Sequence, residues 1–431
     1  MIWNQVYRFR SYLRSSLWIV PFIAIPLELV LSRVLHRTDA LLGWTLLGFS
    51  VTGAQAIFQA VVTATLTFIV FTFGSLLVAI QVASGQLTPR IIATILLRDR
   101  LVAYTVGLFM FTLLFALSAQ NKAGNSVDQL IAFVAAVLGI MCFATFFFLI
   151  DYALRLLRPI SILRFVGSAG LAVVESMYPD LSLGPDTPES KSQRLGEPDR
   201  IVSHQGSSEI VLAVNLEALI AEAGQTSGVI VFVPQVGDFV AVDEPLFGLY
   251  GGAKKIDEHV LRATVAFGSE RTLEQDPTFA FRIIIDIALR ALSTAINDPT
   301  TAVLAIDQLH RLLRLVGKRH LRTDEILDSA GELCVVFRTP NWEDFVNLAF
   351  SEIRACGSNN FQIVRRLRAM LENLIQTLPK HRHPALLDQL SLLDREIKRR
   401  FSYPEELALA GVADSQGLGG HSGLLGSQPT G

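Results

Sequence analysis

No charged side chain stands between Asp39 and Arg90. As continuous α-helix such a run is about 75 Å long at 1.5 Å per residue, more than twice the roughly 30 Å of hydrocarbon in a bilayer. A water-soluble fold of that size needs charge on its surface, so the run ties the chain to lipid. The rest of the amino-terminal third is nearly as bare. Of 37 basic and 39 acidic residues, nine and four fall in the first 150 positions, and the acidic excess lies beyond them. The formal net charge of −2 therefore averages two unlike parts and says little about partners.

Four stretches are apolar over the roughly 20 residues that a crossing needs: 17–35, 61–83, 101–119 and 127–150. They predict a four-span transmembrane domain over residues 1–165. The segment 40–59, with Gly43, Gly48 and Gly53, is interfacial, re-entrant or the start of one long helix. Basic residues set the direction. With the amino terminus inside, four crossings leave Arg8, Arg10 and Arg14, then Arg90, Arg98 and Arg100, then Arg155, Arg158 and Arg164 on one side. A fifth crossing would send one of these clusters to the other face. Pro89, Arg90, Arg98, Asp99 and Arg100 then belong to a cytoplasmic loop. The first span has the full length of a crossing and carries Glu28, unlike the short core of a cleaved signal peptide. Cys142, Cys334 and Cys356 give neither a disulfide framework nor metal-ligand spacing.

Two features of the spans carry possible chemistry. Glu28 is an intramembrane acid, and a carboxylate in lipid costs a few kcal/mol unless it is protonated or paired. It handles a proton or cation, or it snorkels toward Arg33 and Arg37. The second span has a polar face: at 100° per residue Gln55, Gln59, Thr63, Thr67, Gly74 and Gln81 fall within an arc of about 120°. Such a face needs other helices or water against it. It is either packing glue or the wall of a water-lined path between subunits.

Beyond the spans, Asp151 to Met177 continues the last helix with mixed apolar and basic residues. Residues 178–199, rich in Pro, Gly, Ser and Asp, read as a linker. Residues 200–252 then change to a period of two. Strands Glu209–Val214 and Gly228–Val233, a short helix at Leu216–Ala223 and turns at Gly237-Asp238 and Asp243-Glu244 predict a small β-barrel or sandwich domain. Residues 253–403 return to helical period. Helices are expected at 281–292, from Pro299 onward, and at 324–337, 342–355, 360–378 and 384–401. Asn297 or Asp298 caps the helix that Pro299 opens, after a tight break. That break is a capped helical hairpin, or an anion or interface site built from Arg271, Asp276, Asp286, Arg290, Ser293, Asn297, Asp298 and Thr300. Asp286 and Arg290 have the i, i+4 spacing of an ion pair. The basic runs Arg365, Arg366, Arg368 and Lys398, Arg399, Arg400 read as solvated helix faces, and the acidic balance argues against nucleic acid. Residues 411–431, glycine-rich and almost uncharged, predict a disordered tail.

Four segments together resemble a known family. They are Ser84-Gly-Gln-Leu-Thr-Pro-Arg90 with Arg98-Asp-Arg100, Val236-Gly-Asp-Phe-Val240, Glu270-Arg-Thr-Leu-Glu-Gln-Asp276 and Ala291-Leu-Ser-Thr-Ala-Ile-Asn-Asp-Pro-Thr-Thr-Ala302. The pattern is similar to a bacterial family of predicted integral membrane proteins of unknown function. It implies a four-span bacterial membrane protein with a cytoplasmic domain, and it supplies no activity, cofactor or catalytic residue. With the basic residues, the expectation is a multi-pass protein of the bacterial plasma (inner) membrane with both termini cytoplasmic.

The expected fold is a membrane α-helical part of four transmembrane helices plus a cytoplasmic α+β domain with a small β-barrel or sandwich and a helical C-terminal part. The first functional expectation is a homo-oligomeric channel or transport-type protein with a cytoplasmic regulatory domain. The alternative is a membrane-anchored sensing or interaction module that binds a soluble anion or protein partner. No nucleophile elbow, P-loop, dinucleotide fingerprint or metal-ligand cluster stands in the sequence, so no enzyme class and no cofactor is assigned. The partners expected are the lipid bilayer and further copies of the chain.

Overall fold

The uncharged run does not divide into a lead-in and a span. The computed structural model describes residues 3–7, 13, 18–42, 48–86, 100–123, 128–156, 158–182, 184, 195–321, 324–328 and 331–419. In it the run closes one helix, α1 (Ile19–Leu42), and from residue 51 forms a second, α2 (Val51–Gln86). Ser50 starts α2 because its Oγ accepts from the Gly53 N–H at 3.0 Å. Nothing then interrupts the helix for 36 residues, about 54 Å. Residues 51–59 are thus the first turns of the same helix.

The chain divides into two compact units, Ser11–Ser161 and Met1–Arg10 with Ile162–Gly431. In the first, α1 and α2 are joined by α3 (Arg100–Lys122) and α4 (Gln129–Leu156). The central helix is α3, with Val102, Phe109, Thr112, Phe115 and Ala119 buried among the others. Small residues set how close the helices come: a Cβ on Gly107 would meet Val20 at 2.7 Å, and one on Gly139 would meet Val61 at 2.8 Å. Phe68 stacks on Phe146 at 4.3 Å and tilts against Phe109 at 5.7 Å. At one end the Gln129 side chain donates to the Phe49 carbonyl and accepts from its N–H, at 2.9 and 2.8 Å, which fixes where α2 begins.

Among the described residues five helices are long and apolar enough to cross a membrane by length and composition, where four were expected. The fifth is α5 (Pro159–Met177), a separate helix and not a continuation of α4. Pro159 has no N–H for the preceding turn and sits naturally at a helix start. Within the second unit one face of α5 is buried, through Ile162, Leu163, Val166, Gly167, Gly170 and Val174. A Cβ on Gly170 would meet Ala280 at 2.7 Å and Leu312 at 3.1 Å, so α5 lies directly on the helices carrying those residues.

The β part is larger than expected and not self-contained. Strands β1 (Arg200–Ser203), β2 (Glu209–Val214), β3 (Gly228–Phe232), β4 (Phe239–Val240), β5 (Pro245–Gly251), β6 (Val265–Gly268), β7 (Glu325–Leu327) and β8 (Leu333–Phe337) form two sheets, in the orders β1-β5-β3-β8-β7 and β4-β2-β6. No barrel closes. The segment expected as a helix at 324–337 is β7 and β8: Leu333-Cys-Val-Val-Phe337 is a short β-rich apolar run, and it pairs in parallel with β3. This pairing buries β3 between two neighbours, with Phe232 held between Phe247 at 5.4 Å and Phe337 at 5.9 Å. The expected linker is also engaged at its start, where Ser182 donates to Lys318 O and His320 donates to Asp180 O, both at 2.9 Å. Residues 185–194 lie outside the described residues.

Helices α6 (Leu216–Thr226), α7 (Glu258–Ala263), α8 (Pro277–Ala291), α9 (Pro299–Val316), α10 (Trp342–Gly357), α11 (Phe361–Thr377), α12 (His383–Arg400) and α13 (Pro404–Ala410) complete this unit. The α11 basic run is not a solvated face. Arg365 is fully buried, Arg366 bonds Asp307 at 2.7 Å, and Arg368 pairs with Asp394. Arg365 donates to Val412 O at 3.0 Å and Gly419 O at 2.9 Å, which binds Gly411 to Gly419 onto α11 where the sequence predicts disorder. Residues 420–431 lie outside the described residues. Lys398, Arg399 and Arg400 are exposed.

Candidate functional site

The polar face of α2 looks away from the chain's own bundle. Gln55, Gln59, Thr63, Thr67, Gly74 and Gln81 are all exposed, while Ala54, Phe58, Val61, Thr65, Phe68 and Thr72 are buried. Intrachain packing therefore does not cover the face. Some of its polar atoms are satisfied locally: the Gln55 amide donates to Ala123 O at 3.3 Å, and the Gln120 amide donates to Gln59 Oε1 at 2.8 Å. The hydroxyls of Thr63 and Thr67 bond back to Gln59 O and Thr63 O, as helical threonines do. Each amide still has donor and acceptor sites to fill. Further along, Val70, Phe73 and Leu77 are exposed on the same arc, so the face is polar over its first half and mostly apolar beyond, down to Gln81. Gly74 has open space around it.

Glu28 is buried, 4% exposed, and its Oε1 has no hydrogen-bond partner among the described residues. The expected pairing with Arg33 or Arg37 does not form there: Arg33 is exposed and gives Nη1 to Leu29 O at 3.2 Å. The reason is the helix face. Pro21, Ala24, Glu28 and Ser32 are the buried positions of α1, one turn apart, while Phe22, Ile23, Leu27, Leu29 and Val30 point outward. Ser32 accepts from Lys122 Nζ at 3.4 Å.

The residues grouped as an anion or interface site do not converge. Arg271 and Asp276 lie at the start of α8, while Arg290, Ser293, Asn297, Asp298 and Thr300 lie at its end, about 21 Å away by helical rise. At the first end Asp276 caps α8, its Oδ1 accepting from Phe279 N at 3.1 Å and Thr278 Oγ1 at 2.5 Å. Its Oδ2 approaches Arg271 at 3.8 Å and the Gly237 backbone, where an added Cβ would stand 2.5 Å away. Gly237, with φ of 94°, is thus required both by its turn and by this contact. Burial pushes the Asp276 carboxyl up, against the bonds from Thr278 and Phe279 and the charge of Arg271. Two of the motif segments meet here. At the other end Asn297 adopts φ of 49° and Asp298 caps α9, accepting from Thr301 N at 3.1 Å and Thr301 Oγ1 at 2.5 Å. A carboxylate already occupies this helix start, which disfavours an anion there. Asp286 takes Arg282 at 2.5 Å, and Arg282 also reaches Glu352. Pro89, Arg90, Arg98 and Asp99 lie outside the described residues, and Arg100 opens α3.

One cavity had no motif to announce it. A space of about 300 Å³ is lined by Asn4, His204, Gln205, Ser207, Glu209, Arg262 and Phe267. His204 is buried, stacks over Phe267 at 4.3 Å and presents Nε2 to Ser207 O at 2.7 Å. Arg262 is held by Ser203 O at 3.0 Å and Glu258 at 2.7 Å. The arginines Arg200 and Arg262 hold the Glu258 carboxyl below the usual carboxylate range. The cavity joins residues some 200 positions apart, which no local sequence pattern brings together.

Comparison with known proteins agrees with the resemblance carried by the motifs. Residues 14–373 match the family described as Predicted membrane protein (DUF2254). Similar relatives include an uncharacterized protein of Mycobacterium bovis and one of Mycobacterium tuberculosis, each 26% identical over 425 residues, covering 93% of this chain and 79% of the relative. No solved structure matches.

Proposed function

We propose that this chain, which belongs to the family described as Predicted membrane protein (DUF2254), is the subunit of a homo-oligomeric channel or transport-type protein of the bacterial plasma membrane. The apolar helices hold the chain in the bilayer, copies meet through α2, and the second unit acts as a regulatory domain on the cytoplasmic side. The observation that carries this is the exposure of Gln55, Gln59, Thr63, Thr67 and Gln81 on the outside of a single chain's bundle. Unfilled amide groups facing hydrocarbon cost several kcal/mol, and other copies, or water enclosed between them, remove that cost. The apolar stretch at Val70, Phe73 and Leu77 would form a narrow, dewetting segment in such a path.

Helix α5, the fifth apolar helix, packs within the second unit against Ala280, Leu312 and Gln308. The basic residues favour the cytoplasmic side for the amino terminus.

The test is oligomeric state and flux. Native mass spectrometry of the full chain in detergent should give a defined oligomer. Thr63→Cys in a Cys356→Ser background should cross-link between copies, Cys356 being the exposed native thiol. Proteoliposomes should pass small ions, less so when Thr63 becomes Trp. A monomer that neither cross-links nor conducts would refute the proposal.

A further inference from the structure

We propose that Glu28 is a binding site for a small cation, a proton or an alkali-metal ion, inside the four-helix unit. The site lies within one chain, so the proposal stands apart from whether copies associate through α2.

A carboxyl at this depth needs a compensating positive charge, because leaving it bare in a low-dielectric bundle costs at least several kcal/mol. Glu28 is turned into the bundle on the narrow buried face of α1, with outward residues on either side of it that are large and apolar. Its Oε1 is enclosed and has no hydrogen-bond partner among the described residues. One turn on, Ser32 adds a buried hydroxyl to the same face.

The other charged and titratable groups of the four helices are few among the described residues, and Cys142, in the middle of α4, donates to Thr112 Oγ1 at 3.2 Å. On α1 these are Arg33, His36, Arg37 and Asp39, of which His36 contacts Asp128 and Asp39 accepts from Leu130 N. On α3 they are Arg100, Tyr104 and Lys122, and on α4 they are Cys142, Asp151, Tyr152 and Arg155, with Arg155 on Asp151 at 2.5 Å. The described part of α2 has none. The Lys122 ammonium is directed at Ser32 Oγ, one helical turn from Glu28. A small cation supplied from outside the chain is therefore the compensation the geometry points to.

The experiment uses the full chain in detergent. Thermal unfolding is followed in sodium, potassium and choline chlorides at constant ionic strength and over a range of pH, for wild type, Glu28→Gln and Lys122→Gln. In parallel, peptide mapping measures labelling of Glu28 by dicyclohexylcarbodiimide and by a water-soluble carbodiimide. An alkali-metal site predicts stabilisation that rises with sodium or potassium but not choline, and protection of Glu28 from label by the same ion. A proton site predicts no such ion effect and labelling by the lipid-soluble reagent that increases as pH falls. In either case the dependence disappears in Glu28→Gln and persists in Lys122→Gln. Identical ion and pH responses in wild type and Glu28→Gln would overturn the proposal. So would loss of the response in Lys122→Gln, which would make Lys122 the counter-charge, or equal labelling by the water-soluble reagent, which would make Glu28 a solvated acid.

Discussion

Replacing Arg365 with methionine should release residues 411–419 from α11 while leaving the core of the second unit folded. Arg365 is fully buried and gives Nε to Val412 O at 3.0 Å and Nη1 to Gly419 O at 2.9 Å. Asp414, also buried, donates its N–H to Arg365 O at 3.1 Å and folds the segment by accepting from Gln416 N and Gly417 N at 3.0 Å and Gly419 N at 2.7 Å. A hydrogen bond from a charged donor contributes about 1.5–3 kcal/mol. Two of them give roughly 3–6 kcal/mol, and the buried Nη2, which has no partner among the described residues, argues for the low end. Methionine keeps much of the apolar stem and removes both bonds, so a loss of about 3 kcal/mol is expected for the segment. Each 1.4 kcal/mol is tenfold in an equilibrium, so amide protection of Gln416, Gly417 and Gly419 should fall by about two orders of magnitude. Hydrogen exchange read by mass spectrometry on the full chain measures this, with the buried α8 amides of Ile283 and Ile284 as the internal control. Unchanged protection at 416–419 would refute the reasoning, and equal loss at α8 would show that Arg365 supports the whole unit and not the segment.

Asp298→Ala should cost about 1–2 kcal/mol in denaturant unfolding, because it removes the cap of α9, and Asp298→Asn should recover most of it. A neutral alanine variant would mean that the first turn is held by other groups. Gly170→Leu should force α5 off Ala280 and Leu312, destabilising the chain by about 1–3 kcal/mol or more, visible as a lower Tm. An unchanged Tm would mean that α5 does not pack as described. The pH dependence should have two signs. Arg200 and Arg262 lower the Glu258 carboxyl and Arg282 lowers Glu352, so the stability they add is present above the usual carboxylate range and is lost as pH falls through their depressed values. Asp276 is raised by burial, so its ionisation costs stability as pH rises from its unfolded value through the raised one, and Asp276→Asn should remove that decline from the urea midpoint profile. A profile the same in wild type and variant would refute the assignment.

Elements governed by near neighbours along the chain are legible in the amino-acid sequence. Strand Glu209–Val214 and the helices that start at Pro299 and Trp342 follow from period, capping residues and proline position. The polar face of the second span is also readable, since helical geometry alone puts Gln55, Gln59, Thr63 and Thr67 on one side. Its direction is not, because which side of a helix is outward depends on the helices packed against it. The same limit hides the sheet partners. Leu333–Phe337 reads as a short apolar run of either kind, and what makes it a strand is the free edge of β3, a hundred residues earlier.

By itself the sequence determined a division between lipid and water, because the absence of charge from Ala40 to Pro89 leaves an apolar solvent as the favourable surroundings. It also determined the family, through four separated motifs. Tertiary structure alone decided that Glu28 is enclosed with its Oε1 lacking a partner among the described residues, that Arg365 and Arg366 are interior and not solvated, and that Asp276 and Asn297 lie at opposite ends of one helix. Each of those outcomes depends on which surfaces remain uncovered after packing, and burial and pairing are properties of contacts between distant segments that no local pattern carries.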